Sequence, residues 1–593
     1  MTRYLVLTAD EATWRPSEPM LFMGEWCLLH ERRDFWRQLD YKVARPYGVK
    51  LEEKDRDNKL VEHLIKSHFG ELVESLNEYH GENKSERYWK ILLGEWLIRY
   101  TALYINRYQT LKQTLDENSD DLHAVICADN SNISLAAKDT LNFTLAANDV
   151  SWNSFLYGRL LEKLNPNIAI INICKDENKA WSLKEIDKLV AGKYPALISF
   201  GKHCQYFFEK FFTNLFFRFS GLLINTYLNK KFLIKFFIYL YQLPRKYKSF
   251  NVDEIKPNLE SRKCIPFQDV SGNDFDSLYK KFLIELIPTC FLEGYQHLKK
   301  KAHLLPWQNS PAFIFTSNNY CYDEVFQMWA ANKVHEGSRF FIGQHGANFG
   351  VLKYSHSETL CKENADGLIT WGWSDHFKCV PGFMFQMVGE KRNDFVKHRG
   401  DRLLLVQLRI RPSVDTWDNY HEFDLYMKEQ FSFADHLCLN VRSELTVRLH
   451  SASSDDDWGT FSRWKSRFPD LIYDQGTTHF RNIIRSNKIV VFTYLSTGFN
   501  QMLYLNLPAV FFWNNQIEVV RDSAKDIFEE LLEANVIFNN PIEAATHINK
   551  VWHDVDGWWS SKKVQNAIEN YCQRFARSVD KPYKSLKFIL KGN

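Results

Sequence analysis

The stretch FIGQHGANFG, residues 341 to 350, sets His345 between Gly343 and Gly346 directly after the β-rich run SRFFIG. Imidazole has an unperturbed pKa of about 6.5, so it can take up a proton near neutral pH. Glycines beside it let the backbone turn and let another molecule come close. General-base chemistry on a hydroxyl suits this pattern, with Gln344 and Asn348 as acceptor-side contacts; a histidine that only hydrogen-bonds its own loop is the open alternative. Three further strand ends carry chemistry. In FIFTSNNYCYDEVFQMW, Thr316, Ser317, Asn318 and Asn319 lead towards a helix beginning near Asp323, where they can cap the helix or, for Ser317 and Asn318, face an acceptor. In LTVRLHS, Arg448 and His450 alternate with apolar residues along a strand, so they share a face and could meet a phosphate. In VVFTYLSTGFNQ, a strand ending near Thr493 runs into Ser496, Thr497 and Gly498 and then a helix carrying Gln501. Free N–H groups and two hydroxyls converge there on the positive end of a helix, which makes an anion site or a plain cap.

Strands must carry these loops. RYLVLTA, HAVICAD, NIAIINI, ALISFG, AFIFTS, RFFIGQ and GLITWGW recur with helical stretches between them, the signature of a parallel sheet covered on both faces. After the polar segment GEKRNDFVKHRGDR the pattern restarts with LLLVQL, LTVRLH, DLIYD, KIVVFTY and PAVFFW. The expectation is an α/β protein of two Rossmann-like domains whose sheets face a cleft, with the boundary near residues 390 to 402. Residues 1 to 395 form the acceptor-side domain and residues 396 to 593 the nucleotide-donor domain with C-terminal helices. Open α/β sheets bind ligands outside the carboxyl ends of their strands, where all four loops fall. FMGEWC and LLGEWL share Gly-Glu-Trp, but one pair without a fixed period is not read as a repeat.

Bulk properties narrow the function classes. A chain of 593 residues exceeds one core. Its formal net charge of +3 argues against a general nucleic-acid binder. The 11 cysteines are scattered, without a CxxC pair or a zinc-spaced histidine cluster, and read as reduced thiols of a cytoplasmic protein. The start, MTRYLVLTADEATW, reads as a first strand rather than a signal peptide. From Gln205 to Lys248 runs an aromatic and basic insertion read as helical, in which charges keep every apolar run below the ~18 residues of a spanning helix. Two placements are open for it: amphipathic helices on an anionic membrane, at the inner face of the cytoplasmic membrane, or buried helices under the fold.

RYLVLTADEATW with FMGEWC, the segment YWKILLGEWLIRYTALYINRY, and GQHGANFG followed by DGLITWGW resemble a family of transferases found in bacterial O-antigen and surface-carbohydrate gene clusters, over most of the chain. More distantly, the strand-end loops resemble GT-B transferases with cytidine-activated donors: teichoic-acid polymerases, polysialyltransferases and capsule Kdo transferases. That resemblance implies His345 as base, His450 as the strand-end histidine, and Ser496 and Thr497 as the phosphate loop. It departs at RLHS, which lacks a following proline, and at Asn500 and Gln501, where many such enzymes hold the donor ribose with a glutamate.

The leading expectation is a glycosyltransferase of surface polysaccharide synthesis, working without metal or cofactor. His345 takes the acceptor proton, while Arg448, His450, Ser496 and Thr497 stabilise the departing nucleotide, with Thr493, Gly498 and Gln501 as further donor contacts. A CMP-linked sugar is favoured over CDP- or UDP-linked donors, with a lipid-linked or oligosaccharide acceptor. Transfer of an alditol phosphate from a CDP-linked donor, and a non-catalytic glycan-binding or scaffold subunit, are the alternatives. Asp455, Asp456 and Asp457 read as a solvated loop rather than a metal-binding DxD.

Overall fold

The computed structural model describes residues 2–118, 121–127, 134–165, 167–173, 221–240, 251–267, 272–305, 307–375, 378–392, 395, 400–408, 414–450, 458–513 and 519–591. Three sheets form the frame. The first holds β1 (Thr2–Val6), β2 (Met20–Phe22), β3 (Tyr41–Val43), β4 (Asp121–Cys127) and β5 (Ala169–Ile173), in the order β3-β2-β1-β4-β5. The second holds β6 (Gly221–Ile224), β7 (Phe313–Thr316), β8 (Arg339–Gly343), β9 (Gly367–Thr370) and β10 (Cys379–Pro381), in the order β10-β9-β8-β7-β6. The third holds β11 (Arg402–Val406), β12 (Leu445–Arg448), β13 (Ile472–Asp474), β14 (Asn487–Phe492), β15 (Ala509–Phe512) and β16 (Ile537–Phe538), in the doubly wound order β13-β12-β11-β14-β15-β16.

Every pairing within these sheets is parallel. The expected α/β class is what the chain adopts. Central strands such as β8 and β14 are buried on both faces, which is why they read as unbroken apolar runs. The strands expected in one N-terminal sheet divide between two: RYLVLTA, HAVICAD and NIAIINI enter the first, and AFIFTS, RFFIGQ and GLITWGW the second. ALISFG lies outside the described residues.

Two long helices pack beside the sheets, Leu51–His80 and Glu86–Glu117. The first stops at Gly81, whose φ of +64° is the left-handed C-terminal cap. The second starts at Ser85, whose hydroxyl accepts a hydrogen bond from Tyr88 N–H. Trp89, Trp96 and Tyr100 of this helix are fully buried. Within its LLGEWL stretch, a Cβ on Gly94 would lie 2.8 Å from Leu360 Cδ1, so the glycine lets helix His356–Asn364 seat against it. That helix follows the His345 loop and fixes its far end.

Part of the segment read as a helical insertion is a strand, because Gly221–Ile224 pairs with β7 at the sheet edge. Helix Lys230–Tyr239 then buries Phe232, Phe236 and Phe237 beside Leu586, Ile589 and Leu590 of the C-terminal helix, Pro582–Lys591. Its other face exposes Ile234 and Ile238. The flanking residues 205–220 and 241–248 lie outside the described residues. No described helix is long and apolar enough to cross a membrane.

The C-terminal helices were expected with the second domain, yet the last of them crosses back: Arg339 at the start of β8 donates to Leu590 O at 2.7 Å. A second tie runs the other way. Leu352 pairs antiparallel with Val520, Lys353 N–H donates to Val519 O and Arg521 N–H donates to Val351 O, each at 2.8 Å. The chain just after the His345 loop is thereby stitched to the chain following β15.

Candidate active site

The carboxyl end of β8 delivers Gln344 and His345. Gln344 is buried and ties the β8 loop to the β9 loop: its N–H donates to Ile369 O (2.8 Å), and its Oε1 accepts from Trp371 N–H and Trp373 Nε1–H, both at 2.9 Å. Its Nε2 donates to Gly346 O at 2.8 Å. These bonds make Gln344 a scaffold for the loop, where the sequence suggested an acceptor contact. A Cβ on Gly343 would stand 2.5 Å from Ser317 Oγ, so this glycine admits the neighbouring β7 loop of the same chain. Gly346 admits Asn348, whose Oδ1 would lie 2.6 Å from an added Cβ. Asn348 also closes the turn, its carbonyl accepting from Val351 and Leu352 N–H.

His345 Nδ1 lies 3.1 Å from the Tyr320 hydroxyl, and the imidazole stands edge-on to Phe349 with centroids 5.0 Å apart. Burial pushes its pKa down to about 4, and among the described residues no carboxylate raises it. Neutral imidazole therefore prevails at physiological pH. Tyr320 is fully buried, which holds its hydroxyl protonated, and it also meets the Cys361 thiol. Tyr320 was missed from sequence because it is one apolar-periodic aromatic among many; only its place four residues after a strand end marks it.

The sheet edge at β6 and β7, next to the His345 strand, carries polar atoms that the described residues leave unanswered. Ser317 Oγ, Asn318 Oδ1 and Thr226 Oγ1 are buried and have no hydrogen-bond partner among the described residues. Buried polar atoms are nearly always paired, so a group of orphans at the carboxyl edge of β6 and β7 is a candidate place for a ligand. The backbone there is strained as well: Asn225 and Tyr227 sit at φ of +44° and +59°, a region costly for residues with a Cβ. Asn225 O accepts from Ser317 N–H, and Asn318 Nδ2 donates to the Tyr227 hydroxyl. Helix capping at the expected position is done by Asp323, which accepts from Phe326 N–H, leaving Ser317 and Asn318 outside that duty.

On the third sheet, Ser496 caps helix Thr497–Tyr504, its Oγ accepting from Phe499 N–H at 3.1 Å. Thr497 and Gln501 are half-buried on the first turns. Gly498 lets this turn approach Phe480, whose ring an added Cβ would meet at 3.0 Å. The Arg448 guanidinium lies 6.0 Å from the same ring, so Arg448 and the Ser496–Gly498 turn are neighbours. Its charge is paired with Asp474, which stands opposite Arg448 in the β12–β13 register.

Thr493 is internal: its hydroxyl donates to Val406 O (2.9 Å) and meets the Tyr426 hydroxyl (2.6 Å). His450 is exposed and lies beyond β12, which ends at Arg448, so the two do not share one strand face. Asn500 is buried and anchors the C-terminal helices, donating to Phe575 O and accepting from the Tyr571 hydroxyl. Asp455, Asp456 and Asp457 lie outside the described residues. Among the described residues, no group of three or more His, Cys, Asp or Glu is disposed to hold a metal ion.

The two edges meet through an ion pair that sequence reading did not find. Arg521 donates to both carboxylate oxygens of buried Glu358, at 3.0 and 2.8 Å, and to Leu352 O. Glu358 also accepts from Gly350 N–H at 2.8 Å, in the turn that closes the His345 loop. Nothing in spacing could pair residues 163 positions apart.

Comparison with known proteins gives a family and a loose structural likeness. A family model described as LIC12162 family transferase matches residues 3–590. No curated protein matches the chain. A solved structure from Listeria monocytogenes, described as a UDP-N-acetylglucosamine 2-epimerase, is similar at 10% identity and a TM-score of 0.30, covering 51% of this chain and 88% of its own. That likeness is too loose to carry an argument about this chain.

Proposed function

The chain belongs to the LIC12162 transferase family, and from that premise we propose that it is a GT-B-like glycosyltransferase of surface polysaccharide or O-antigen synthesis. The observation that carries this reading is the stitching of residues 351–353 to 519–521, which holds the carboxyl edge bearing His345 against that of the doubly wound third sheet. In this scheme His345 donates its Nδ1–H to the Tyr320 oxygen, leaving the Nε2 lone pair to take the acceptor's hydroxyl proton. The acceptor oxygen bonds to the anomeric carbon as the carbon–oxygen bond to the nucleotide phosphate breaks. The departing phosphate meets the positive end of helix Thr497–Tyr504. Arg448 shapes that side as half of an ion pair. Ser317, Asn318 and Asn348 face the acceptor. A CMP-linked donor is proposed ahead of CDP- and UDP-linked ones, with a lipid-linked or oligosaccharide acceptor.

The test is release of nucleotide by the purified protein from CMP-, CDP- and UDP-linked donors with an oligosaccharide or lipid-linked acceptor. Sugar in the product supports the reading, whereas alditol phosphate in the product assigns the other transfer reaction. No release from any donor would remove the enzymatic assignment.

Thr497→Val is expected to weaken nucleotide binding roughly tenfold in calorimetry, by loss of one hydrogen bond to a charged phosphate. Unchanged affinity would assign the turn to capping alone.

The low pKa of His345 predicts a pH profile. The free enzyme should keep kcat/KM level as pH falls through 6.5 and lose it only near 4. A bound donor phosphate favours imidazolium, so the acid limb of kcat should lie higher. The same shift bears on stability. The folded pKa is below the unfolded value, so the contribution is whole above about 6.5 and is lost as pH falls from there to about 4. An acid limb of kcat/KM at 6.5 would contradict this.

Work at the inner face of the cytoplasmic membrane is proposed from exposed Ile234 and Ile238 set among exposed Lys230, Lys231 and Lys235. Liposome flotation should require anionic lipid and fade with salt. Salt-independent flotation would count against it.

A further inference from the structure

The first sheet has its own cleft, and no residue of the His345 loop lines it. Its order, β3-β2-β1-β4-β5, reverses between β1 and β4, and Thr8 and Ala9 stand just past the end of β1. Such a switch point is where an open parallel sheet leaves room for a ligand. Opposite walls come from the third-sheet domain, through residues 417 to 420 and Trp458. FMGEWC, which the His345 centre does not use, contributes Trp26. Half-buried Trp26 and Trp417, with Tyr420 and Trp458, give the cleft aromatic walls.

Charge decides what those walls can hold. Two long helices begin at the cleft, Val150–Leu164 and Asn419–His436, and both beginnings carry aspartates. Asp149 accepts from Trp152 N–H at 2.8 Å, and Asp418 accepts from Tyr420 and His421 N–H at 2.8 and 3.3 Å. The positive helix ends that would draw a phosphate are therefore already answered by carboxylates of the chain. Among the described lining residues Arg107 is the cation, and its guanidinium is engaged with Asn153 Oδ1 (2.9 Å), Ala147 O (3.1 Å) and Asn106 Oδ1. Among the described lining residues two carboxylates stand against one guanidinium, and the Lys54 ammonium 4.7 Å from the Trp417 ring is neutralised by Glu422 at 2.5 Å, so these residues disfavour anions. Asn148 Oδ1, buried on the same wall, accepts no hydrogen bond among the described residues and could take one from a hydroxyl.

We propose that this cleft is a second binding site, which holds a neutral pyranose against Trp26 and Trp417 and excludes phosphorylated and acidic sugars. Pyranose rings present an apolar face to an aromatic wall and hydroxyls to carboxamides and carboxylates, the two surfaces the cleft offers. The site extends the transferase reading by giving a glycan chain a holding point away from the reacting centre.

The test uses the full chain without any donor, so its failure and the failure of the transferase reading remain separable. Saturation-transfer NMR with methyl glucoside, methyl galactoside and N-acetylglucosamine, each against glucuronate and glucose 1-phosphate, should show saturable binding of a neutral sugar. Trp417→Ala should weaken that binding roughly tenfold, Trp417→Phe less. Asp149→Asn and Asp418→Asn keep the caps and remove the charges, so they should narrow the gap between glucose 1-phosphate and the neutral sugars. The proposal is overturned if glucose 1-phosphate binds this cleft more tightly than every neutral sugar. It is equally overturned if no neutral sugar in the panel gives a signal sensitive to both Trp417→Ala and Trp26→Ala while the variants unfold cooperatively.

Discussion

His345→Ala is expected to lower kcat by roughly 10²- to 10⁴-fold, the usual worth of a positioned general base, and to leave nucleotide affinity unchanged. The separation follows from the fold. His345 hangs from β8 of the second sheet, whereas the proposed phosphate contacts hang from β14 of the third. Truncation also opens space beside Phe349 and takes the imidazole away from the Tyr320 hydroxyl, which keeps the Cys361 thiol. His345→Asn, closer in volume, should lose the same activity with less damage. Tyr320→Phe should cost less than either, because it removes only the group that selects the tautomer. Single-turnover kinetics with calorimetry on the three variants checks the order. Equal turnover in His345→Asn and wild type would remove His345 from the role of base.

Arg521→Ala is expected to destabilise the protein by roughly 3 kcal/mol, because it strands the buried Glu358 carboxylate after removing a bidentate partner. Lys362 remains 2.7 Å from Glu358 and keeps part of its compensation. The effect should not stop at stability. Glu358 holds the Gly350 turn, and Arg521 holds Leu352 O, so the variant loosens the seam that joins the His345 loop to the third sheet. A rise in KM at temperatures where the variant is fully folded is therefore expected together with the lowered denaturant midpoint. Replacing both partners, as Arg521→Met with Glu358→Leu, should recover much of the stability, since no charge is left buried and unpaired. A single variant with wild-type midpoint would show that the pair contributes nothing to the seam.

How much of this was legible in the sequence differs by element. The parallel α/β frame was, because buried parallel strands leave unbroken apolar runs such as LLLV in β11 and IVVF in β14. Division of the N-terminal strands into two sheets was not, since neighbours in a sheet are chosen by packing and a run of apolar residues does not name its partner. β2, β3, β10 and β16 are only two or three residues long, too short for alternation to register. GLLI at residues 221–224 was hidden inside an aromatic stretch whose composition reads as helix.

At the site, spacing located the loops but not the duties within them. Ser496 is a cap, Thr493 is internal to the sheet, and Gln344 is a tie between loops, all from residue types that equally suit ligands. Tyr320, the Arg521–Glu358 pair and the cleft of the first sheet depend on residues brought together over long separations. Only Trp26 carried a sequence signal, in the otherwise unexplained FMGEWC.

The most direct test is a crystal structure of the protein with CMP, CDP or UDP bound. The account predicts the phosphate at the first turn of helix Thr497–Tyr504, on the third-sheet side of the seam and facing the loop of His345. A nucleotide seated in the aspartate-lined cleft of the first sheet, with the Ser496–Gly498 turn unengaged, would contradict it.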